Sequence, residues 1–426
     1  MPRALLLLLA LGLLIRLVFV LAYERPLISD EREYHQLGST LASTGRYEYN
    51  GALTAYRPVG YPMVVASIYF IAGEHPLAVK LTQCLLDVGT ALLLFLILRM
   101  AKMRTRLLAC GLWAVYVPAI LYTNLLLTET LYTILLVFLV FLLSRGDQDQ
   151  GWTPALMGLC IGFLTLIKPG SMLLLVPFVI YAQRMRMPLR ALSVVAAVTL
   201  LSLAPWVIRN YVEFGRIALS SNGGINMLIG NNPNATGAYS VSFDPKILEG
   251  AHNEFEADAK AGKAAAEYII EHPAKFVQNS VRKIAHLFES EGGLIVWMFH
   301  SDPEGSQTRF SQKYGSLSPW LILLVNLPYF AVMLVALPGF AVSEKNRFWW
   351  ITLGLLCTWI VLHLVVFGGS RFHFPLMPFA VAFAALGFDG GVPGFSRLTR
   401  SQLLFTLLGG IAFISIWVTE AYAIFR

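Results

Sequence analysis

The chain has 426 residues, of which 57% are hydrophobic and only 13% are charged, and its formal net charge is +7. A soluble protein of this length carries about twice that share of charged residues. Together with a mean hydropathy of +0.64, this composition excludes an ordinary soluble protein and indicates a polytopic membrane protein.

Long apolar segments recur along the whole chain. One crossing of a bilayer needs about 20 mainly apolar residues. The segments that meet or approach this length are 4–23, 77–98, 107–124, 127–143, 153–167, 171–183, 190–208, 318–341, 348–367, 374–388 and 402–423. The two short segments 153–167 and 171–183 are also compatible with one broken span. The sequence therefore predicts an all-α membrane protein with about 11 transmembrane helices.

Lysine and arginine are concentrated in the loops on one side of these spans. They occur near 99–106, 184–190 and 345–347, and such an excess marks cytoplasmic loops. This pattern predicts a cytoplasmic N-terminus and places the loops 24–76 and 209–317 on the external face. The positive net charge is explained by topology and does not indicate nucleic-acid binding.

The same division predicts three parts of the chain. Residues 1–208 form an N-terminal transmembrane module that includes the first external loop, 24–76. Residues 209–317 form an external cap, and residues 318–426 form the C-terminal transmembrane helices. The cap is turn-rich at 221–224 and 230–237, whereas its second half, from about 253 to 291, is predicted to be helical with an interruption at His272-Pro273.

The first external loop begins with the acidic pair Asp30-Glu31 directly after the first span. Residues 30–44 have apolar or small residues at helical spacing, and Gly45 is suited to end a helix. Capping of this helix by Ser29 or Asp30 is one interpretation of the acidic start. The other is a general base that acts on a hydroxyl. Carboxylates are costly beside a bilayer, which gives the functional interpretation weight.

Further charged residues fall on the same predicted external face. Glu129 opens the fourth span, so it is either a structural acid at a helix N-terminus or a second carboxylate beside Asp30. Lys168 either extends to the membrane interface or binds phosphate. Arg57 follows the first external helix, and Arg371 stands in a short loop between two late spans. Three cations and two carboxylates on one face match a site that holds a phosphate and activates a nucleophile.

Two other charges, Arg16 and Asp87, lie inside predicted spans, where a charge is either functional or part of a buried contact between helices. The sequence contains no P-loop, no Rossmann glycine pattern and no Gly-x-Ser-x-Gly motif, which argues against a nucleotide donor. A lipid phosphate-sugar fits as the energised donor instead.

Six short motifs occur in order along most of the chain. They are Asp30-Glu31-x-x-Tyr34, Arg57-Pro58-x-Gly60-Tyr61-Pro62, Thr128-Glu129-Thr130, Leu166-Ile167-Lys168-Pro169, Gly230-Asn231-Asn232-Pro233 and Arg371-Phe372-x-x-Pro375. With this ordered set the sequence resembles the GT-C superfamily of membrane glycosyltransferases, and within it the glycosyltransferase family 39 group. That group includes protein O-mannosyltransferases and the aminoarabinose transferases that modify lipid A. The resemblance implies a GT-C-like helical bundle with interfacial helices in the first external loop.

The resemblance also implies a reaction and its partners. The donor is a polyprenyl-phosphate sugar, the acceptor is a lipid or glycan hydroxyl on the external face, and displacement proceeds with inversion at the anomeric carbon. Asp30 is implied to activate or orient the acceptor, with Glu31 and Glu129 as further catalytic acids. Some relatives bind a divalent metal ion at comparable positions, so the resemblance leaves a metal cofactor open.

The remaining implied site residues contact the substrates. Arg57 matches a basic residue that contacts the lipid phosphate, and Lys168 and Arg371 are implied to take part in binding the same phosphate. Tyr34 and Tyr61 are implied to bind the substrates.

The sequence departs from larger relatives in having its soluble part confined to 209–317. This favours a compact enzyme of the bacterial inner membrane whose active site lies on the periplasmic face and whose acceptor is a glycolipid, a polysaccharide or another envelope glycan. A transporter or flippase for a lipid-linked or anionic substrate is the alternative function, and a non-catalytic scaffold is a third.

Overall fold

The structure is a computed structural model that describes residues 2–145, 151–300, 310–388 and 398–425. These ranges are almost entirely helical. The helices are α1 (Arg3–Ala22), α2 (Asp30–Thr44), α3 (Gly60–Ala72), α4 (Pro76–Ile97), α5 (Met103–Ala114), α6 (Val117–Tyr122), α7 (Glu129–Ser144), α8 (Thr153–Ile167), α9 (Leu175–Arg184), α10 (Leu189–Phe214), α11 (Gly223–Gly230), α12 (Glu254–Glu271), α13 (Pro273–Leu287), α14 (Gly292–Phe299), α15 (Phe310–Gly315), α16 (Pro319–Val342), α17 (Arg347–Val365), α18 (Met377–Gly387) and α19 (Arg400–Phe425). Short 3₁₀ turns occur at Pro169–Leu174, Pro245–Leu248, Ser370–Phe372 and Phe374–Leu376. The strands β1 (Glu48–Tyr49) and β2 (Ala52–Leu53) form an antiparallel hairpin.

Six of the described helices are long and apolar enough to cross a membrane, namely α1, α4, α10, α16, α17 and residues 400–424 of α19. The helices α3, α7 and α8 are apolar but shorter. The all-α, multi-pass architecture is thus confirmed, whereas the count of 11 spans is not established. In the predicted span 107–124, for example, Pro118 lies in the first turn of α6 and marks a break after α5, because a proline inside one continuous helix would remove a backbone hydrogen bond.

The first external loop contains the predicted helix α2, followed by the β hairpin and α3. The helix α2 begins at Asp30 and ends at Gly45, whose positive φ of 72° favours glycine. The hairpin is not among the features predicted from the sequence. Its turn, Asn50-Gly51, has positive φ at both residues, which is the usual two-residue hairpin turn, so the sequence does carry its signal.

Gly60 brings this external loop against the transmembrane bundle. A Cβ atom at this position would lie 2.7 Å from the backbone atoms of Leu166 and Ile167 at the end of α8. Side-chain carbons do not approach a backbone so closely, so the contact requires glycine. The contact fixes the segment that carries Arg57 against the segment that carries Lys168.

The external cap is more regular at its start than the sequence predicts. The helix α10 continues to Phe214, beyond the predicted end at 208, and α11 begins at Gly223, inside the first predicted turn, and ends at Gly230, where the second begins. Gly224, on which the first turn prediction rests, serves packing instead. A Cβ atom on Gly224 would clash with the carbonyl oxygen of Asp258 in α12, so the absence of a side chain lets the two helices touch.

The second half of the cap agrees with the prediction. The helices α12 and α13 are separated at His272-Pro273, as expected for a proline that starts a new helix. Glu254, the first residue of α12, accepts hydrogen bonds from the hydroxyl of Thr54 at 2.8 Å and the amide of Ala55 at 2.5 Å. The cap is thereby attached to the first external loop.

The close contact between α11 and α12 gives a testable prediction. Replacing Gly224 by alanine is expected to lower the free energy of unfolding by about 1–3 kcal/mol, because the added methyl group forces two backbones apart. Gly223→Ala is the matched control, since a Cβ atom there has open space around it. Thermal unfolding in detergent should show a lower midpoint for Gly224→Ala alone. Equal midpoints for the two variants would contradict the packing argument.

A buried ion pair joins α1 to α4 inside the bundle. The side chain of Arg16 donates to Asp87 at 2.6 Å and also to the carbonyl oxygens of Gly12, Trp113 and Ala114. Both ion-pair residues are almost completely buried. Of the two interpretations of these intramembrane charges, the structure therefore supports the interhelical contact, which here connects α1, α4 and α5.

Candidate functional site

Asp30 lies at the start of α2 between two guanidinium groups. Arg57 Nη2 donates to one carboxylate oxygen at 2.7 Å, and Arg371 Nη1 donates to the other at 2.9 Å. The preceding residue, Ser29, has a positive φ of 46°, and its hydroxyl does not cap the helix. Such backbone conformations cost about 1–3 kcal/mol and persist where the surroundings require them. The carboxylate of Asp30 is thus directed at cations and is not used for capping.

Glu129 lies on the other side of Arg371. Arg371 Nε donates to Glu129 Oε1 at 3.2 Å, and Lys168 Nζ donates to the same oxygen at 3.3 Å. The position at the N-terminus of α7 brings this carboxylate to the end of the bundle, where Lys168 follows the last residue of α8. Arg371 therefore bridges Asp30 and Glu129, and the two predicted carboxylates belong to one cluster.

A third carboxylate completes this charged cluster, which we define as Asp30, Glu33, Arg57, Glu129, Lys168 and Arg371. Glu33 accepts a hydrogen bond of 2.6 Å from Arg57 Nε. It is not among the residues predicted for the site, although its position one helical turn after Asp30 puts it on the same face of α2. Three cations and three carboxylates balance each other, so the unliganded cluster is neutral overall.

Burial and charge act in opposite directions on Asp30. Burial alone would raise the pKa of its carboxyl group, but the positive charges of Arg371 and Arg57 outweigh burial and hold the pKa below its ordinary value. Asp30 is therefore ionised in the free site throughout the neutral range.

Aromatic rings surround the charged cluster. The guanidinium of Arg57 lies 5.7 Å from the ring of Tyr34, and that of Arg371 lies 5.8 Å from the ring of Trp297. The ring of Phe372 lies within 5.6 Å of both Lys168 and Arg371. Such rings attract cations and exclude water, which strengthens the charged contacts between them.

Three residues predicted for the site lie outside the charged cluster: Tyr34, whose ring contacts Arg57, and Glu31 and Tyr61. Glu31 is fully buried and accepts both ion-pair hydrogen bonds from Arg25, at 2.8 and 2.7 Å. It also accepts from the amide of Leu126 and the indole of Trp297. Tyr61 is buried as well, and its hydroxyl donates to Gln83 at 2.9 Å. Their roles in catalysis or substrate binding stay predictions.

The turn that carries Arg371 is fixed by the external cap. The buried ammonium of Lys283 donates to Leu364 O at 2.9 Å and to Asn231 Oδ1 at 2.8 Å, and Asn231 donates to Val365 O at 2.6 Å. These carbonyl groups end α17, where a positive charge is favourable. Burial lowers the pKa of Lys283 to about 8. The Gly230-Asn231-Asn232-Pro233 motif thus holds the end of α17 from which the Arg371 turn begins.

A second anchor lies just after Arg371. His373 is buried, with Nδ1 2.8 Å from the carbonyl oxygen of Leu287 and Nε2 3.1 Å from Glu291 Oε1. Its ring stacks on Tyr329 with centroids 4.5 Å apart. The guanidinium of Arg371 is therefore presented by a turn that is held at both ends.

A divalent cofactor does not fit the charged cluster. Among the described residues there is no group of three or more His, Cys, Asp and Glu side chains suited to a metal ion. Asp30 and Glu129, the carboxylates on which such an ion would depend, are each bonded to two protein cations. Glu33 is also paired, with Arg57, so a divalent ion would have to displace a protein cation from each carboxylate that it bound.

Comparisons with known proteins bear on the fold of the chain. No protein-family model and no curated protein sequence matches the chain. The oligosaccharyltransferase AglB of Archaeoglobus fulgidus, in complex with an inhibitory peptide and a dolichol-phosphate, has a TM-score of 0.50 at 14% identity over 97% of this chain and 55% of that chain. The Archaeoglobus fulgidus oligosaccharyltransferase in complex with Zn and sulfate has a TM-score of 0.51 at 14% identity, over 96% of this chain and 52% of that chain.

The chain has the GT-C fold. The resemblance drawn from the ordered motifs is thus confirmed at the level of the fold. ArnT from Cupriavidus metallidurans, bound to undecaprenyl phosphate, is also similar, with a TM-score of 0.45 at 12% identity over 90% of this chain and 77% of that chain. This GT-C-fold protein spans about half the length of the oligosaccharyltransferase chains that it matches.

Proposed function

We propose that this GT-C-fold protein is a membrane glycosyltransferase that moves a sugar from a polyprenyl-phosphate donor to an acceptor hydroxyl, with inversion at the anomeric carbon. The observation that carries the proposal is the placement of the Asp30 carboxylate between the guanidinium groups of Arg57 and Arg371. Displacement of a phosphate by a hydroxyl requires a base for the hydroxyl proton and cations for the leaving phosphate, and both are present within this cluster.

The proposed reaction is one displacement. The acceptor oxygen forms a bond to the anomeric carbon as the bond between that carbon and the phosphate oxygen breaks. Asp30 takes the proton of the acceptor hydroxyl. The polyprenyl phosphate leaves with both electrons of the broken bond, and its negative charge is stabilised by Arg371, Lys168 and Arg57. Inversion follows because the hydroxyl attacks from the side opposite the phosphate.

Donor binding also prepares the base. In the free site each cation is bonded to a carboxylate, so an arriving phosphate competes with Asp30 and Glu129 for Arg371. As Arg371 turns toward the phosphate, Asp30 loses one of the two charges that hold its pKa down. Its carboxylate then becomes a stronger base at the moment when an acceptor proton has to be removed.

A lipid-phosphate donor has independent support from the fold. AglB, which shares the GT-C fold, has been solved in complex with a dolichol-phosphate. The three cations of the present cluster lie at the ends of apolar helices and in the loops that join them. A phosphate attached to a membrane lipid reaches them without leaving the bilayer surface.

The remaining roles follow from the contacts. We assign Glu31 a positioning role, since its bonds to Arg25 and Leu126 connect the start of α2 to the loop before Glu129. Residues 1–208, 209–317 and 318–426 act as catalytic module, cap and C-terminal helices. The proposal places the protein in the bacterial inner membrane, with a cytoplasmic N-terminus, the site on the periplasmic face and an envelope glycan or glycolipid as acceptor.

The test is release of free polyprenyl phosphate by purified protein in liposomes, given a panel of polyprenyl-phosphate sugars and an envelope glycolipid extract. Release should depend on both donor and acceptor. Asp30→Asn, which keeps the shape but removes the base, should slow release by about 10²–10⁴-fold. Asp244→Asn, at an exposed turn of the cap, is the matched control and should keep the wild-type rate.

Wild-type release by Asp30→Asn, or no release from any donor by folded protein, would overturn the transferase. The transporter alternative makes the opposite forecast, because it moves substrate across sealed vesicles without releasing polyprenyl phosphate. That alternative relies on the intramembrane charges of Arg16 and Asp87, which the structure pairs with each other.

A further inference from the structure

The external cap places one exposed aromatic side chain, Tyr239, next to the turn that carries Arg371. The neighbouring residue Ala238 forms a parallel β-bridge with Gly368, and the amide of Gly368 donates to the carbonyl oxygen of Gly237 at 2.8 Å. The position of Tyr239 is therefore fixed by backbone pairing. Its side chain nevertheless remains 63% exposed.

A row of rings connects Tyr239 to the charged cluster. The ring of Tyr239 meets that of Phe367 edge to face at 5.2 Å, and Phe367 lies 5.7 Å from Phe372. Phe372 in turn lies 5.5 Å from the guanidinium of Arg371. Tyr239 is thus the outer, exposed end of a row whose inner end contacts the proposed phosphate-binding residues.

A second tyrosine lies beside the other arginine that holds Asp30. Tyr56 directly precedes Arg57, and its ring lies 5.5 Å from the Arg57 guanidinium. Partial burial raises the pKa of both phenols, and the charges of Arg57, Asp30 and Glu33 act on each of them. Tyr56 thus contacts one arginine that holds Asp30, and Tyr239 is linked through Phe367 and Phe372 to the other.

The site consequently has two chemically distinct sides. Lys168 and Glu129 lie at the ends of apolar helices, which is the side from which a lipid-attached phosphate arrives. Tyr56, Tyr239 and Glu33 lie on external loops and carry aromatic faces beside hydrogen-bonding groups. A sugar ring has the matching chemistry, because its C–H face packs on an aromatic ring while its hydroxyls bond to phenols and carboxylates. An acyl chain would leave those polar groups unpaired.

We propose that Tyr56 and Tyr239 form a saccharide-binding platform that holds the acceptor as a sugar ring with one hydroxyl at Asp30. This inference rests on the proposed glycosyl transfer and deepens it, since it names the side chains that hold the sugar ring of the glycan or glycolipid acceptor.

The kinetic test compares Tyr239→Leu, which keeps an apolar side chain without a ring, with Tyr239→Phe, which keeps the ring. In the release assay, Tyr239→Leu should raise the KM for the glycan acceptor roughly five- to tenfold and leave the donor KM unchanged. Tyr239→Phe should stay within about threefold of the wild type, since only the hydroxyl is lost. Tyr211→Leu is the matched control, because Tyr211 is 58% exposed at the end of α10 and lies outside the charged cluster. An increase in donor KM instead of acceptor KM would overturn the proposal.

A binding measurement separates the failure of this inference from the failure of the proposed function. Saturation-transfer NMR with the glycan fraction released from an envelope extract reports contact with the sugar C–H face and needs no turnover. We expect signal with the wild type and with Tyr211→Leu, and its loss with Tyr239→Leu. Glycan binding that is lost in Tyr239→Leu, without any sugar transfer by the wild type, would contradict the proposed transferase function and support the saccharide-binding platform. No glycan signal with the folded wild type, or equal signal with all variants, would overturn the platform.

Discussion

Arg371→Ala is expected to lower kcat for sugar transfer by about 10²–10³-fold, the size of effect seen when one preorganised donor to a developing negative charge is removed. Arg371 is the residue that joins the two halves of the cluster, since it donates to both Asp30 and Glu129. Arg371→Lys keeps the charge but presents one ammonium in place of a planar fork, so it should recover only part of the rate. The measurement is the release of polyprenyl phosphate at saturating donor and acceptor.

The pH dependence of the same variant tests the electrostatic argument. Burial favours the protonated form of Asp30, and the charges of Arg371 and Arg57 reverse this and lower its pKa. A base with a lowered pKa stays ionised as pH falls, so kcat/KM for the wild type should decline only below the ordinary carboxyl range. Removing Arg371 removes one of the two positive charges that lower the pKa of Asp30. The fall of kcat/KM at acid pH should therefore occur at higher pH in the variant than in the wild type.

The control for this prediction is Arg216→Ala, which removes an exposed arginine of the cap. It should leave both the rate and the pH profile unchanged. An Arg371→Ala protein with an unshifted acid limb would show that Asp30 does not titrate in that limb, even if its rate is low.

Asp87→Ala is expected to lower the free energy of unfolding by about 3–5 kcal/mol, because it leaves the fully buried guanidinium of Arg16 without its counter-charge. The carbonyl groups of Gly12, Trp113 and Ala114 would still accept hydrogen bonds from Arg16, but they carry no net charge. The double variant Arg16→Leu with Asp87→Leu removes both charges and should recover most of the lost stability. Thermal and denaturant unfolding in one detergent provide the comparison.

The double variant decides what this ion pair does. Recovery of stability together with normal polyprenyl phosphate release would show that the pair is structural. If the double variant is as unstable as Asp87→Ala, the unpaired charge is not the cause of the loss. If it is stable but inactive, the intramembrane charges have a role in function that their mutual contact does not reveal.

The sequence predicts which residues reach the external face, but it does not predict all their partners. Asp30, Arg57, Glu129 and Lys168 are predicted together because each stands beside the end of an apolar or helical segment, and the structure brings all four into one cluster. The contact of Asp30 with Arg371 joins residues 341 positions apart and depends on how the bundle closes. The sequence pattern around either residue carries no information on a contact between residues so far apart in the chain.

The adjacent acids Asp30 and Glu31 show that sequence pattern does not predict the contacts of neighbouring residues either. Successive residues of a helix point about 100° apart, so the two carboxylates of the pair face different neighbours. The sequence assigns both to catalysis, whereas the structure places one in the charged cluster and the other in a buried network with Arg25. The turn predicted at 221–224 is wrong at Gly223 and Gly224, which begin α11. Glycine pairs are typical of turns, but Gly224 is needed here for the contact with α12.

The spacing of the ion pairs along the chain has a consequence for biosynthesis. Arg57 follows its acidic partners Glu33 and Asp30 by 24 and 27 residues, and Lys168 follows Glu129 by 39. Glu129 therefore gains a partner soon after it is made, whereas Asp30 and Glu33 share one arginine. Arg371 is made much later, and within the charged cluster it connects these two local groups. Until then the growing chain has one carboxylate in excess at this place, and the charges of the cluster balance only when the late helices have been added.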